Sequence, residues 1–166
     1  MKTAIVYYSK TGFTHKVSSL LKEQLAGSGN QVDVFRIKQQ KPEGTIVHKC
    51  VSAVMGTRPL IKDAKTDMEE YDLVFIGGPI WALSIPPAVK SYMSKLNGIL
   101  GKRVGLFLTY GSGAGKNRTI DGMEKTVCSK GALRACKFLV SDFKVATDPD
   151  YIKKSLRNFT KRVAEK

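Results

Sequence analysis

No apolar run in this sequence is longer than a β-strand, so nothing reaches the roughly 20 residues of a membrane-spanning helix. The opening run from Met1 to Tyr8 is also too short for a secretory leader, which makes a cytoplasmic protein the expectation. Cysteine is sparse: Cys50, Cys128 and Cys136 are odd in number and unevenly spaced, giving neither a disulfide framework nor a paired metal or redox motif. Histidine is scarcer still. With only His15 and His48, no Ser-His-acid arrangement can be assembled, and His48 with Cys50 makes a poor metal site. Acidic residues are few: 14 Asp plus Glu face 28 Lys plus Arg, a formal charge of +14. The basic residues are dispersed, with no basic arm and no interleaved aromatic stripe. That pattern suits a cationic solvated surface and acidic partners rather than a specific nucleic-acid site. Repeats, low-complexity tracts and linkers are missing too, so residues 1–166 are expected to form one domain with a full core.

What is present alternates between two periodicities. Thr3 to Tyr8 is apolar on both faces, as a buried parallel strand is. Val17, Leu20, Leu21 and Leu25 then recur at helical spacing until Gly27-Ser28-Gly29-Asn30 ends the pattern. Gln31 to Ile37 alternates like an edge strand. The stretch from Thr45 to Glu70 is too long for a plain connection, and Val47, Val51, Val54 and Met55 suggest a short helix before an extended crossover. Tyr71 to Pro79 is the clearest buried strand, and Pro86-Pro87 opens the helix that follows it. Arg103 to Thr109 is a fourth strand, followed by a helix over 117–129 and a fifth strand around Lys137 to Phe143. Asp148-Pro149-Asp150 caps a last amphipathic helix. Strands alternating with helices in this way imply a doubly wound parallel sheet, whose ligands sit beyond the carboxyl ends of the strands.

Three loops therefore share one edge: Ser9 to Thr14, Gly78 to Ser84, and Thr109 to Gly115. The first leaves a strand and opens a helix with three hydroxyls and one glycine. Its free N–H groups make it either a phosphate cradle or an ordinary capped helix start. Several rival chemistries fail on residue identity. Gly115-Lys116 lacks both the preceding glycine and the following hydroxyl of a P-loop, since Tyr110 and Asn117 stand there. Gly111, Gly113 and Gly115 miss the dinucleotide spacing, whose third glycine would fall at Lys116. Ser9-Lys10 and Gly77-Gly78 exclude the acids of a phospho-acceptor site, and no cysteine occupies the first loop as a phosphatase nucleophile. A non-covalent site for a phosphorylated aromatic cofactor survives. Trp81 and Tyr110, on the second and third loops, supply ring faces for stacking, and the glycine-rich backbone supplies hydrogen bonds.

Tyr8-Ser9-Lys10-Thr11-Gly12-Phe13-Thr14, the run from Gly77 through Trp81 to Pro87, and Thr109-Tyr110-Gly111-Ser112-Gly113 together resemble the flavodoxins and flavodoxin-like FMN proteins. The resemblance covers nearly the whole chain. It implies a flavodoxin-like doubly wound five-stranded parallel sheet, order 2-1-3-4-5, with helices on both faces. It also implies one non-covalent FMN. By this resemblance Ser9, Thr11, Gly12 and Thr14 bind the phosphate, with Lys10 adding an N–H and charge and Phe13 in the same loop. Pro79, Ile80, Trp81 and Ala82 flank the ring, while Thr109, Tyr110 and Gly111, with Gly113 beside them, hold or stack on its pyrimidine edge.

The activity so implied is FMN-dependent electron transfer between a reductase and a partner or small acceptor, with no covalent catalyst on the protein. An NAD(P)H-dependent quinone or flavin reductase on the same scaffold is the alternative, and a cationic phosphate- or polyanion-binding module is a further one. The partner is expected to be acidic at its contact surface and the chain to be a monomer or dimer. Two departures from the family pattern carry consequences. Flavodoxins are usually acidic, so a basic chain implies a less negative reduction potential. Many also carry a glycine in the second loop, where this sequence has Ala82 and Leu83, implying little build-up of one-electron-reduced flavin.

Overall fold

In the computed structural model, residues 1–39, 61–62 and 64–165 are described. The helix expected near Val47 to Met55, with His48 and Cys50, lies outside them. Strand β1 (Lys2–Tyr7) leads into helix α1 (Phe13–Gly27) and strand β2 (Gln31–Arg36). Two short strands, β3 (Lys38–Gln39) and β4 (Ile61–Lys62), pair antiparallel in a small ladder that the sequence reading did not anticipate. Strand β5 (Leu73–Pro79), helix α2 (Pro87–Lys95), strand β6 (Arg103–Tyr110), helix α3 (Lys116–Ser129) and strand β7 (Arg134–Ser141) follow. Helices α4 (Asp142–Thr147) and α5 (Pro149–Ala164) close the chain. The main sheet is parallel throughout, in the order β2-β1-β5-β6-β7, which is the expected 2-1-3-4-5 once the small ladder is set aside.

Alternating side chains on each strand feed two separate cores. Ala4, Val6, Val74, Ile76, Val104, Leu106 and Leu108 face α2 and α3, meeting Val89, Tyr92, Met93, Ile120 and Met123. Ile5, Tyr7, Phe75, Phe107, Phe138 and Val140 face α1 and α5, meeting Val17, Leu21, Ile152, Leu156 and Phe159. Every residue of β5 is buried, as a strand covered by helices on both faces requires. The last helix begins as the sequence suggested. Asp148 accepts a hydrogen bond from the Tyr151 N–H at 3.1 Å, and Pro149 occupies the first turn, where no donor is needed.

One strand lies earlier than expected. The apolar run Phe138-Leu139-Val140 drew the reading to Lys137–Phe143, but β7 starts at Arg134 and stops at Ser141. Being an edge strand, it buries Cys136, Phe138 and Val140 on alternate positions. Ser141 then caps α4 by accepting from the Lys144 N–H, which leaves Phe143 on a helix and 72% exposed.

The two central strands interlock. In their register Phe75 lies opposite Gly105 and Gly77 opposite Phe107. A Cβ at Gly77 would overlap the Phe107 ring, and one at Gly105 would overlap Phe75 and press on Phe159. Each phenyl ring therefore occupies the room its neighbour's missing side chain leaves, and Phe159 packs edge-on to Phe75 at 5.6 Å. Gly77→Ala or Gly105→Ala forces this close-packed layer apart, at a cost of about 1–3 kcal/mol. Urea titration of either variant is expected to show a lower midpoint, and an unchanged midpoint would contradict the interlock.

Candidate functional site

The loop between β1 and α1 is built to leave donors free. Gly12 adopts φ 98°, a left-handed conformation that costs glycine little, and turns the chain into the helix. The buried Ser9 side chain braces this turn: its Oγ accepts the N–H groups of Gly12 at 3.2 Å and His15 at 3.3 Å. Its own hydroxyl proton remains available. The N–H groups of Lys10, Thr11, Phe13 and Thr14 find no acceptor among the described residues, as the orphan donors of a helix start do. Lys10 and Thr11 are exposed beside them. The Arg36 guanidinium reaches in from β2, donating to the Ser9 carbonyl at 2.9 Å. An anion is the ligand this arrangement accommodates.

The second loop is a tight reversal at the end of β5. Trp81 N–H donates to the Ser84 carbonyl at 2.8 Å, and Ser84 N–H returns the bond to Trp81 at 2.9 Å. Between them Ala82 has φ 43° and Leu83 φ 68°. Positive φ at both central positions is the geometry usually filled by Asn-Gly, and a side chain there costs about 1–2 kcal/mol per residue. The turn is held from α3. Thr119 Oγ1 donates to the Leu83 carbonyl at 3.0 Å, and Gly115, at φ 71°, has no Cβ because one would sit about 3.0 Å from Leu83.

Contacts among the loops join them into one rim. Tyr8 meets the Trp81 ring edge-on at 5.5 Å, and Lys10 Nζ lies 5.3 Å from its centroid. Thr14 and Thr109, both buried, share a hydroxyl hydrogen bond of 2.9 Å, and Ile80 N–H donates to the Thr109 carbonyl at 2.9 Å. Lys116 Nζ stands 4.7 Å over the Tyr110 ring. Among the described residues, Lys10, Arg36 and Lys116 have no ion-pair partner, so the rim is cationic.

Of the residues expected from sequence, Ser9 to Gly12, Trp81, Ala82, Tyr110, Gly111 and Gly113 line or border this rim. Phe13 packs against the core beneath it, Pro79 is the buried last residue of β5, and Ile80 packs against the opposite core. Thr14 and Thr109 lie beneath the surface as the tie between loops. Arg36 and Thr119 were not singled out, and Leu83, Gly115 and Lys116 entered only as a departure from the family pattern and as a failed P-loop. Arg36 and Thr119 reach the rim through tertiary contacts, and no local motif marks them.

Asp142 was missed for the same reason. Burial raises its carboxyl above the usual range, the Thr109 hydroxyl partly offsets that, and its Oδ1 is buried without a partner. An acid whose folded-state pKa is raised stabilises the fold below the ordinary carboxylate pKa and loses that contribution as pH rises through the folded value. Asp142→Asn is therefore expected to raise Tm at pH 7 and to give no gain near pH 3. Equal gains at both pH values would assign the effect to something other than ionisation.

Comparison with known proteins shows the family and the fold. The family model for NADPH-dependent FMN reductases matches residues 1–140. Among solved structures, a candidate flavoprotein of Bacteroides eggerthii is similar at 25% identity, with 99% of each chain covered and a TM-score of 0.70. A Lactobacillus acidophilus flavoprotein in complex with FMN is similar at 20% identity and TM-score 0.64, covering 87% of this chain and 96% of that one. Megasphaera elsdenii flavodoxin is similar at 21% identity and TM-score 0.61, covering 96% and 98%. No curated protein sequence matches. The fold is flavodoxin-like.

Proposed function

We propose that this chain, which belongs to the NADPH-dependent FMN reductase family, binds one FMN at the three-loop rim and passes electrons between a reduced donor and a partner protein or small acceptor. The observation that carries the reading is the set of unpaired N–H groups at Lys10, Thr11, Phe13 and Thr14, beside two aromatic rings on adjoining loops. A terminal phosphate fits the first, and a planar ring fits the second. FMN, when bound, supplies the redox chemistry. The protein's share is binding and orientation. Ser9 and Thr11 donate to the phosphate, Lys10 and Arg36 balance its charge, and the Trp81 and Tyr110 loops hold the ring.

A second reading, an enzyme that oxidises NAD(P)H directly and reduces a quinone or free flavin, is favoured by the family match over 1–140. The unpaired cations Lys10, Arg36 and Lys116 also suit a phosphorylated nicotinamide donor. Multiple turnovers of NADPH with an added quinone and no partner reductase would establish it. Their absence, with a photoreducible bound flavin, would leave the carrier. For the carrier, the cationic rim suits a partner that is acidic at its contact surface.

Two outcomes test the shared core of both readings. Purified or reconstituted protein is expected to show the visible bands of FMN, and Thr11→Ala to weaken FMN about ten-fold, the scale of a hydrogen bond to a charged group. Riboflavin, lacking the phosphate, should bind both forms alike. Equal loss for the two ligands would remove the phosphate from the first loop. The positive field is expected to favour anionic reduced flavin, giving a midpoint potential that becomes more negative as salt screens it. A very low, salt-independent potential would contradict that.

A further inference from the structure

The three-loop rim occupies the carboxyl ends of the strands, and the amino ends carry a feature that it does not use. Just before β6 and β7 the chain makes two adjacent turns with Leu100 and Leu133 at their tips, 82% and 74% exposed. The turns are tied together. Gly101 N–H donates to the Gly131 carbonyl at 2.7 Å, and Leu133 N–H to the Lys102 carbonyl at 2.9 Å. Gly131, at φ 90°, follows the end of α3, and a Cβ there would meet Leu100 Cδ1 at 2.5 Å. Leu100 therefore lies against the backbone of the neighbouring turn with its outer face in water. One exposed leucine needs no explanation, but two on adjoining, braced tips form a single protruding apolar patch.

Cations surround this patch, and they are fixed in place without being neutralised. Lys102 Nζ donates to the carbonyls of Glu69 at 2.5 Å and Tyr71 at 2.6 Å. Lys130 Nζ donates to those of Ser94 at 3.1 Å and Leu96 at 2.9 Å, and Arg103 Nη1 to that of Ala164. A carbonyl holds such a group but leaves its charge, which a carboxylate would cancel. Arg134 and Lys95 are exposed at the same end. The acids here are Glu165, after α5, and Asp67, Glu69, Glu70 and Asp72, on the segment leading into β5. The strand order puts that segment to one side of the two tips, and Glu70 is already paired with Lys2 and Lys65.

We propose that this end of the molecule docks on an anionic lipid bilayer, with Leu100 and Leu133 entering the headgroup–acyl boundary and the surrounding cations facing lipid phosphates. Apolar side chains beside basic ones are the combination that holds a protein at such a surface, and the +14 excess of the chain adds long-range attraction. Other occupants fit less well. A second copy would bring the same cations face to face. A nucleic acid would use the cations and gain nothing from the leucines. An acidic protein would need pockets matched to both tips. Two leucines give reversible, salt-sensitive attachment rather than permanent anchoring. Strand β6 runs from Arg103 to Tyr110, about 25 Å at the rise of a β-strand. A docked molecule therefore turns its three-loop rim away from the bilayer, open to partners in solution. The inference does not depend on what occupies that rim.

Co-sedimentation with vesicles tests it, using the full chain with and without added FMN. The protein is expected to pellet with vesicles of equal parts phosphatidylglycerol and phosphatidylcholine at low salt, and far less with phosphatidylcholine alone. Leu100→Gln with Leu133→Gln should weaken binding about ten-fold or more, the scale of burying branched side chains. Leu133→Gln alone, which leaves the Leu100–Gly131 contact intact, should lose about five-fold and serves if the double variant is less stable. Arg134→Gln should also cost about five-fold. Phe143→Ser, which removes an exposed apolar side chain from the other end of the sheet, should change nothing. Absence of binding, or equal binding to neutral vesicles, overturns the proposal. Binding that survives loss of both leucines is general adsorption of a cationic protein and overturns it too. So does a wild type that dimerises in sedimentation velocity through these leucines, which assigns the tips to a second copy. Protein that pellets but takes up no FMN refutes the functional reading alone, and FMN-loaded protein that stays in solution refutes this one alone.

Discussion

The mutual seating of Phe75 over Gly105 and Phe107 over Gly77 is the constraint from which the site geometry descends. Parallel strands slide easily in register when their faces are uniformly branched and aliphatic. Two phenyl rings that each need a glycine directly opposite admit only one register. That register brings Pro79 level with Thr109, and the Ile80 N–H then bonds the Thr109 carbonyl. The second and third loops consequently leave the sheet side by side. The parallel pairing of β1 with β5, Tyr7 opposite Gly77, brings the first loop to the same edge.

From that shared edge the loops hold one another in place. Thr14 bonds Thr109 beneath the surface, Tyr8 and Lys10 meet Trp81, and Thr119 and Gly115 hold Leu83. Each loop alone supplies only one part of the rim. Joined, they expose a line running from unpaired backbone donors, past two aromatic rings, to a strained reversal, with cations along it. Such a line matches a molecule with an anionic end and a flat aromatic end, which is the chemical description of FMN. Strain is tolerated at Ala82 and Leu83 because contacts from another element oppose its release.

The positive charge works at two ranges. Close to the rim, Lys10, Arg36 and Lys116 lie free of carboxylates among the described residues, as do most of the other described cations, Lys2, Lys65, Lys137 and Lys144 being the paired ones. Over the whole molecule the +14 excess raises the local concentration of anionic substrates and partners. On the proposed reading the same excess would lower the energy of a negatively charged reduced ring. Affinity for acidic partners and the tuning of a bound flavin would then come from one compositional fact.

The alternation of apolar strands with helical patterns determined the doubly wound class, because the period of burial is written residue by residue. Ser9 to Thr14 was legible as a turn that opens a helix with free donors for a similar reason: hydroxyls and a glycine between strand and helix are local chemistry. The strand order came from the family resemblance, and β7 was misread because its apolar centre hid an edge strand that begins at Arg134. The two-stranded ladder escaped notice because two-residue strands have no period. Only the tertiary structure decided which residues meet. Thr119 is thirty-six positions from Leu83, and Thr14 is ninety-five from Thr109, so neither contact leaves a mark in any short window of sequence. Local propensity can specify a turn or a helix start, but a hydroxyl's partner across the rim is set by the packing of the sheet between them.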